Sequence, residues 1–530
     1  MSMNSPVQPV ANPSPKLARP VRFVTAASLF DGHDAAINIM RRILQANGVE
    51  VIHLGHNRSV ADIVNAALQE DVHGIAISSY QGGHVEYLKY MVDMLREKDG
   101  AAIRIFGGGG GVIIPEEIKL LQDYGVTRLY SPQDGQQMGL QGMILDIIAR
   151  CDFDPGAAAP ETLETIQSGN WRALARTITA LENNTLKPEL RAEILERAAN
   201  PEKKVPVLGI TGTGGSGKSS LTDEIIRRFR LGQQDQLKIA IIAVDPTRRK
   251  TGGALLGDRI RMNAIDHPNI FMRSIATRES IGEIPEVIKD VVAATKLAGF
   301  DLIIVETPGI GQGDAAIVPL VDVSLYVMTP EFGAQSQLEK IDMLDFASAV
   351  AINKFDRKGA EDAYRDVCKQ VQRNREAFGQ SPEEMPVFGT IAARFNDDGV
   401  TALYQNLLGQ LEVAGLFIEH NHLPAVKVRK SSGNSVIVPP ERVRYLAEIA
   451  ETVRGYHKTV NAQAKIARER QQLRETKRML GAAANDLTAL DELIAQRDEQ
   501  LDSRARKLLE IWPQVRASYA GDEYVVKIRD

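Results

Sequence analysis

The chain is 530 residues long, 44% hydrophobic and 25% charged, with a formal net charge of −5. These values fit a soluble globular protein of about three or four domains and exclude a surface dominated by phosphate-binding basic charge. Two distant cysteines, Cys151 and Cys368, exclude a disulfide framework or a cysteine-built metal cluster, and no apolar run is long enough to span a membrane.

Residues 1–20 are rich in Pro, Ser and Asn and lack the apolar core of a signal peptide, so they read as a disordered tail of a cytoplasmic protein. From 21 to 150, strand-like runs alternate with helical patterns. The run 21–29 leads to a helix over 34–47, and 49–55 leads to 59–70 with Ser59 as N-cap. The run 74–80 leads to 85–98, 103–107 leads to 116–124, and 128–131 leads to a helix before Cys151. Five βα units predict a doubly wound parallel sheet with its ligand at the carboxyl ends of the strands.

Those ends carry chemistry. Asp31-Gly32-His33 follows the first run, Ser78-Ser79-Tyr80 the third, and five glycines, 107–111, the fourth. A loop histidine with a carboxylate two residues away is a metal ligand with a partner that fixes its tautomer. Bare glycine backbone forms a floor for a large ligand. His53, His56, His73 and His84 read as ordinary structural or surface histidines.

This constellation resembles the cobalamin-binding domain of adenosylcobalamin-dependent mutases, whose pattern is D-x-H-x-x-G, then S-x-L, then G-G. Ala36 stands here for the last glycine of the first motif and Tyr80 for the leucine. The resemblance implies that His33 is the lower axial ligand to cobalt and that Asp31 supports it. It also implies that the nucleotide tail lies between Ser78 and Gly110-Gly111.

Residues 151–160 are Gly-, Ala- and Pro-rich and read as a boundary. The segment to 204 is helical: Trp171, Leu174, Ile178 and Leu181 share one face, as do Leu190, Ile194 and Leu195. A small adaptor packed on the next domain accounts for it.

The domain over 205–417 opens with an apolar strand, 205–210, a glycine-rich turn and a helix bearing Leu221, Ile225, Ile226 and Phe229 on one face. Between them stands Gly212, four residues, then Gly217-Lys218-Ser219, which is the phosphate-cradling P-loop pattern in its required strand–loop–helix context. Gly215, Ser216, Gly217, Lys218, Ser219 and Ser220 are the candidate phosphate contacts. Lys218 is placed to reach the β and γ phosphates, and Ser219 to put its hydroxyl on Mg²⁺.

Continuous apolar runs at 239–244, 302–305, 323–328, 350–352 and 387–390 predict further buried parallel strands. Asn353-Lys354-Phe355-Asp356 ends one of them and matches the N-K-x-D pattern that reads guanine. A carboxylate at 356 pairs with the guanine ring N–H and amino group, which adenine lacks, so GTP is expected over ATP. Asp245, Asp258 and Glu306, with Ser219 and Thr307, form a candidate Mg²⁺ shell.

The stretches VDPTRRKTGGALLGDRIRM and VETPGIGQGD resemble the MeaB-type G-protein chaperones of cobalamin mutases. The resemblance implies Mg²⁺ contacts from Ser219, Asp245, Asp258, Glu306 and Thr307, and a GTP contact from Arg261. Lys218 and Glu306 become the catalytic candidates, with Gln312 a weak candidate for positioning water. A mobile third switch is implied near 329–340, and slow intrinsic hydrolysis is expected.

Residues 421–440 read as linker, and 441–509 as charged helix with Leu473, Leu480, Leu487, Ile494, Leu501 and Leu508 seven apart. Two or three helices packed on another domain or subunit are expected, with Pro513 ending the last.

In its whole length the chain resembles the N-terminal half of the fused isobutyryl-CoA mutases. The fold class is thus α/β: a doubly wound cobalamin-binding domain over 21–150, a connector over 151–204, a P-loop GTPase over 205–417 and a helical linker over 418–530. No eight-fold βα repeat remains for a substrate barrel, so that domain is expected in a longer form of the chain or on a partner subunit. The cofactors implied are adenosylcobalamin, GTP and Mg²⁺, with GTP hydrolysis gating cofactor loading and repair in a homodimer that touches neither nucleic acid nor membrane. Two alternatives stay open: a cobalamin-sensing GTPase regulator, and a metal-insertion GTPase, although the His- or Cys-rich tract that the second requires is missing.

Overall fold

The computed structural model describes residues 19–278, 280, 284–309, 314–333, 338–433, 445–481 and 486–523. The chain divides into two compact units, Met1–Ser435 and Val436–Asp530. The expected tail over 1–18, Gln312, and residues 334–337 of the expected third switch lie outside the described residues.

In the first unit, β1 (Arg22–Ser28), β2 (Glu50–Arg58), β3 (Gly74–Ser78), β4 (Arg104–Gly108) and β5 (Arg128–Tyr130) form a parallel sheet. β1 is buried on both faces, which its apolar run demands. Ser59 caps the helix Val60–Gln69: its hydroxyl accepts from Asp62 N–H, and the Asp62 carboxylate accepts from Ser59 N–H.

A second parallel sheet is built from β6 (Val207–Gly212), β7 (Ile239–Asp245), β9 (Ile270–Ala276), β10 (Leu302–Glu306), β11 (Val323–Met328), β12 (Ala349–Asn353) and β13 (Val387–Thr390). Its order is β13-β12-β11-β6-β10-β7-β9, with the P-loop strand central. Gly212 has φ +138°, and a Cβ there would lie 1.8 Å from the Val327 carbonyl oxygen, so the turn into the P-loop tolerates only glycine. β9 was not legible as a strand. Its Arg273 and Ser274 interrupt the apolar run, yet both are buried.

β8 (Ala254–Leu256) lies between β7 and β9 in the chain but joins the first sheet, whose order is β5-β4-β3-β1-β2-β8. It runs parallel to β2, pairing Glu50 with Ala254, Val51 with Leu255 and Ile52 with Leu256. The connector helices Trp171–Glu182 and Pro188–Ala199 pack over the helix Val287–Leu297, with the Trp171 ring stacked on Phe300 at 5.3 Å.

The seam between the sheets is ionic and dry. Glu182 accepts from Arg22 at 2.9 Å and from Arg273 at 2.5 Å, and Arg278 lies 3.4 Å away. Glu50 is held between Arg22 and Arg278, each at 2.8 Å. Burial opposes its charge, but the two guanidiniums win and hold its carboxyl down to about 2.

Residues 418–433 do not behave as linker. Ile418, Leu423, Val426 and Val428 pack on the core of the second sheet. The chain then runs beside β13, where Gly389 N–H donates to Arg429 O at 3.0 Å and Ser431 N–H to Gly389 O at 2.8 Å. Apolar residues spaced unevenly, two to five apart, along an edge carry no periodic signal, which is why composition alone read them as loop.

The second unit holds helices Tyr445–Leu480, Thr488–Gln500 and Ser503–Ser518. The first two are antiparallel: Gln463 bonds Gln500 O at 3.1 Å, Glu469 accepts from Arg497 at 2.8 Å, and Lys477 pairs with Asp491. The seven-residue leucine spacing therefore does not make one stripe, because the chain reverses after Gly481, whose φ is +50°. Pro513 does not end the last helix but lies inside it. The carbonyl it leaves without a helical donor, that of Leu509, is on a water-exposed residue, so the loss is cheap.

Candidate functional site

Two sites lie at the carboxyl ends of the two sheets. At the first, the Asp31 side chain is 1% exposed while that of His33 is 75% exposed. Asp31 Oδ1 accepts from His33 N–H at 2.9 Å and pairs with His33 Nδ1 at 2.8 Å, and Oδ2 accepts from Tyr80 N–H at 2.6 Å. Burial works against the Asp31 charge, but these donors hold its carboxyl below the usual range. An ionised acceptor on Nδ1 makes that nitrogen the protonated one and leaves Nε2 as a free, solvent-facing lone pair. The Tyr80 ring lies against the imidazole, with centroids 5.4 Å apart.

Beside this pair opens a cavity of about 250 Å³, lined by Ile37, Ser78, Phe106, Tyr130 and the backbone of 107–110. Two features fit it for an inserted tail. Ser78 Oγ is buried without a hydrogen-bond partner. Gly109 cannot carry a side chain, since its Cβ would lie 1.9 Å from the Ser79 carbonyl oxygen. Gly110, at φ +58°, lines the cavity; Gly111 does not, because the chain has by then turned into the short helix Gly110–Val112. The other first-domain histidines are accounted for structurally where buried: His53 bonds Thr25 Oγ1 at 2.9 Å, His73 Nδ1 accepts from Arg22 N–H at 3.0 Å, and His84 pairs with Glu117 at 2.9 Å.

The second site gathers Gly215, Gly217, Lys218, Ser219, Ser220, Asp245, Asp258, Arg261, Glu306 and Thr307 around one cleft. Lys218 Nζ donates to the carbonyls of Gly212 and Thr213 at 2.9 and 3.1 Å, folded onto the loop it serves. Ser219 Oγ lies 2.8 Å from both Asp258 Oδ1 and Glu306 Oε1. Its one proton serves only one of them. Burial and the Asp258 charge push Glu306 up to about 8, and burial with the Asp258 and Glu306 charges raises Asp245 well above its ordinary value. Glu306 Oε2 is buried without a partner.

Converging carboxylates that repel one another, with an orphaned oxygen and a serine hydroxyl, are a donor set that a divalent cation completes. Among the described residues no group of three or more His, Cys, Asp or Glu side chains could hold a metal ion by itself, so a Mg²⁺ here would need waters and nucleotide phosphates to complete its shell. Thr307 lines the cleft, but its hydroxyl donates to Thr211 Oγ1 at 2.8 Å and is not among the converging oxygens.

The base-reading loop is braced on the phosphate loop. Asn353 Nδ2 donates to Ser216 O at 2.8 Å, and Lys354, in the left-handed region at φ +58°, donates to Gly215 O at 2.7 Å. Asp356 makes neither contact and is exposed, with its carboxylate free for a base. Ser216 is wholly buried and does not line the cleft. Sequence reasoning missed Thr390 and Ala392, which hold Asn353 Oδ1 at 3.3 and 3.1 Å. Their signal was faint: a Gly-Thr-Ile-Ala run where the last strand ends. Arg259 was grouped with Asp258 and Arg261 at this edge, without a role of its own.

The model of the methylmalonyl-CoA mutase-associated GTPase MeaB matches residues 174–493, and that of the B12 binding domain matches 21–128. The fused isobutyryl-CoA mutase of Cupriavidus metallidurans is 65% identical over 530 residues, covering 100% of this chain and 48% of that protein. That of Nocardia farcinica is 58% identical over 513 residues, covering 97% and 47%. That of Geobacillus kaustophilus is 53% identical over 519 residues, covering 96% and 47%. The chain thus spans about half the length of these curated relatives.

Proposed function

Because the chain belongs to the MeaB family of mutase-associated GTPases and carries a B12-binding domain ahead of its GTPase, we propose that it is the cofactor-handling part of a fused isobutyryl-CoA mutase. In this reading it binds adenosylcobalamin and Mg²⁺–GTP, and GTP hydrolysis gates loading and repair of the cofactor. The observation that carries the reading is the His33–Asp31 pair, whose imidazole packs against Tyr80, a residue that lines the cavity of about 250 Å³. Adenosylcobalamin, when bound, would supply radical chemistry through its cobalt–carbon bond. The work of this chain is to hold it: His33 through Nε2, Ser78 and Gly110 along the tail.

On the nucleotide, Lys218 and the backbone of 215–220 neutralise phosphate charge, Ser219, Asp258, Glu306 and Asp245 hold Mg²⁺, and Asp356 selects guanine. Hydrolysis then rests on positioning and charge stabilisation, and loss of the γ-phosphate releases the loops around 245–261 and 306–314. The partner is a substrate-binding mutase domain, in a longer form of the chain or on another subunit, acting on isobutyryl-CoA and n-butyryl-CoA in a cytoplasmic homodimer.

A cobalamin titration followed by visible absorbance, with GTP turnover in parallel, tests this. Wild type should give a histidine-ligated spectrum that His33→Ala loses, and Lys218→Ala should abolish GTP turnover. Turnover of GTP by a wild type that binds no cobalamin overturns the reading of the first domain.

A further inference from the structure

Residues 246–261 leave the nucleotide cleft at Asp245 and return to it at Asp258 and Arg261. Between these points the loop is tied to its own domain at Thr247, which exchanges hydrogen bonds with Thr277 and Arg278, but its strand does not join its own sheet. β8 lies on β2, and the side chains of Ala254 and Leu256 belong to the core of the first domain. The loop re-enters the cleft through Arg259, whose guanidinium is buried. Its Nε and Nη2 each donate to Glu70 Oε1 at 3.2 Å, and Nη2 donates to Met272 O at 2.6 Å.

Glu70 belongs to the first domain, where it follows the helix Val60–Gln69 as its C-cap, and its side chain is 0% exposed. That is a poor place for an anion: buried, and at the negative end of a helix. Its close partners come from the GTPase half. Besides Arg259 they are Ser274 N–H at 3.0 Å and Ser274 Oγ at 2.9 Å, with Arg22 of its own domain more distant at 3.8 Å. The carboxylate is therefore stabilised by what it holds, and what it holds is the residue next in chain to Asp258, 2.8 Å from Ser219 Oγ.

We propose that Glu70 is a positioning residue for the GTPase centre: from the cobalamin domain, through Arg259, it sets the Asp258 carboxylate for the metal. This rests on the reading of the cleft as a Mg²⁺–GTP site. An outer partner of a metal ligand is worth about 10–100-fold in metal affinity, and Glu70→Gln should show the lower end of that range.

The experiment uses the full chain with GDP bound and titrates Mn²⁺ by electron paramagnetic resonance, alongside the Mg²⁺ concentration giving half-maximal GTP turnover. Asp258→Asn tests the site itself, Glu70→Gln and Arg259→Lys the positioning, and Glu182→Gln serves as control, because Glu182 sits in the same seam but touches no residue of 246–261. The expected result is Mn²⁺ affinity lowered about 10-fold by Glu70→Gln and by Arg259→Lys, unchanged by Glu182→Gln, with metal-free GDP affinity constant throughout. Equal weakening by Glu182→Gln and Glu70→Gln, or no weakening by Glu70→Gln and Arg259→Lys while Asp258→Asn abolishes binding, overturns the proposal alone. Unchanged binding in Asp258→Asn overturns the metal-site reading and the proposal with it. If Glu70→Gln does not fold, Arg259→Lys decides by the same criterion.

Discussion

Asn353 donates its side-chain amide to the carbonyl oxygen of Ser216 across 2.8 Å, so the N-K-x-D loop and the glycine-rich loop are joined by a hydrogen bond. Asp356, three residues on, is free of that duty. The two positions should separate in mutation. Asp356→Asn should lower GTP affinity about 100-fold, an exchange of a matched hydrogen-bonding group for a mismatched one, and raise affinity for xanthosine triphosphate, whose carbonyl replaces the guanine amino group. Asn353→Ala should weaken all nucleotides and also lower stability by about 1–3 kcal/mol, because the donors of Ala392 and Thr390 lose their acceptor. Competition against a fluorescent GDP, with urea unfolding, reads both.

Asp31→Asn should spare the fold and damage the cobalamin site. An amide cannot accept from both His33 N–H and Tyr80 N–H with its two ends, as the carboxylate does. Cobalamin affinity should fall about 10–100-fold, measured by the same visible titration, with the loss greatest for the histidine-ligated spectral form.

Acid should destabilise the first domain through His73 and His53. Burial pulls both imidazoles down to about 4, and His73 is locked neutral by accepting from Arg22 N–H while its other nitrogen donates to the Phe153 carbonyl. Folded pKa values below the unfolded value of about 6.5 mean that the unfolded chain binds more protons. Their stabilisation is complete above pH ~6.5 and is lost as pH falls toward ~4. Thermal melts across that window should show the fall, and His73→Gln should flatten part of it.

Glu182→Ala should be far more costly than a typical surface change. It leaves Arg22, Arg273 and Arg278 facing one another in a dry seam. Removal of one partner from a buried ionic cluster costs about 3–5 kcal/mol, and denaturant unfolding of the full chain should register it.

Most of both sheets, and the loops at their carboxyl ends, were legible because each rests on local signals. Buried parallel strands are continuous apolar runs, and the candidate site residues follow them at fixed offsets: Asp31 and His33 after β1, Ser219 after β6, Asn353 at the end of β12. What escaped depends on distant pairing. Ala254-Leu255-Leu256 is three residues long and acquires strand geometry only from β2, some 200 residues earlier. Glu70, Glu182 and Arg273 look like surface charges in any helical or strand pattern, and only the assembled seam shows them buried. The division of 441–509 into two or three helices was legible too, because Gly481 interrupts the seven-residue spacing where the chain reverses.

The placement of β8 bears on how this chain can be taken apart. A cut between the two α/β halves would leave β2 with a bare outer edge, a row of unpaired backbone donors and acceptors that invites edge-to-edge aggregation. Gly253, where a Cβ would lie 2.1 Å from the Gln45 carbonyl oxygen, tolerates no substitute that keeps the strand seated. For chimeras and for transplanting the cobalamin half onto another partner, the smallest exchangeable module is the whole of 19–433, and breakpoints chosen from the family boundaries would fall through its middle.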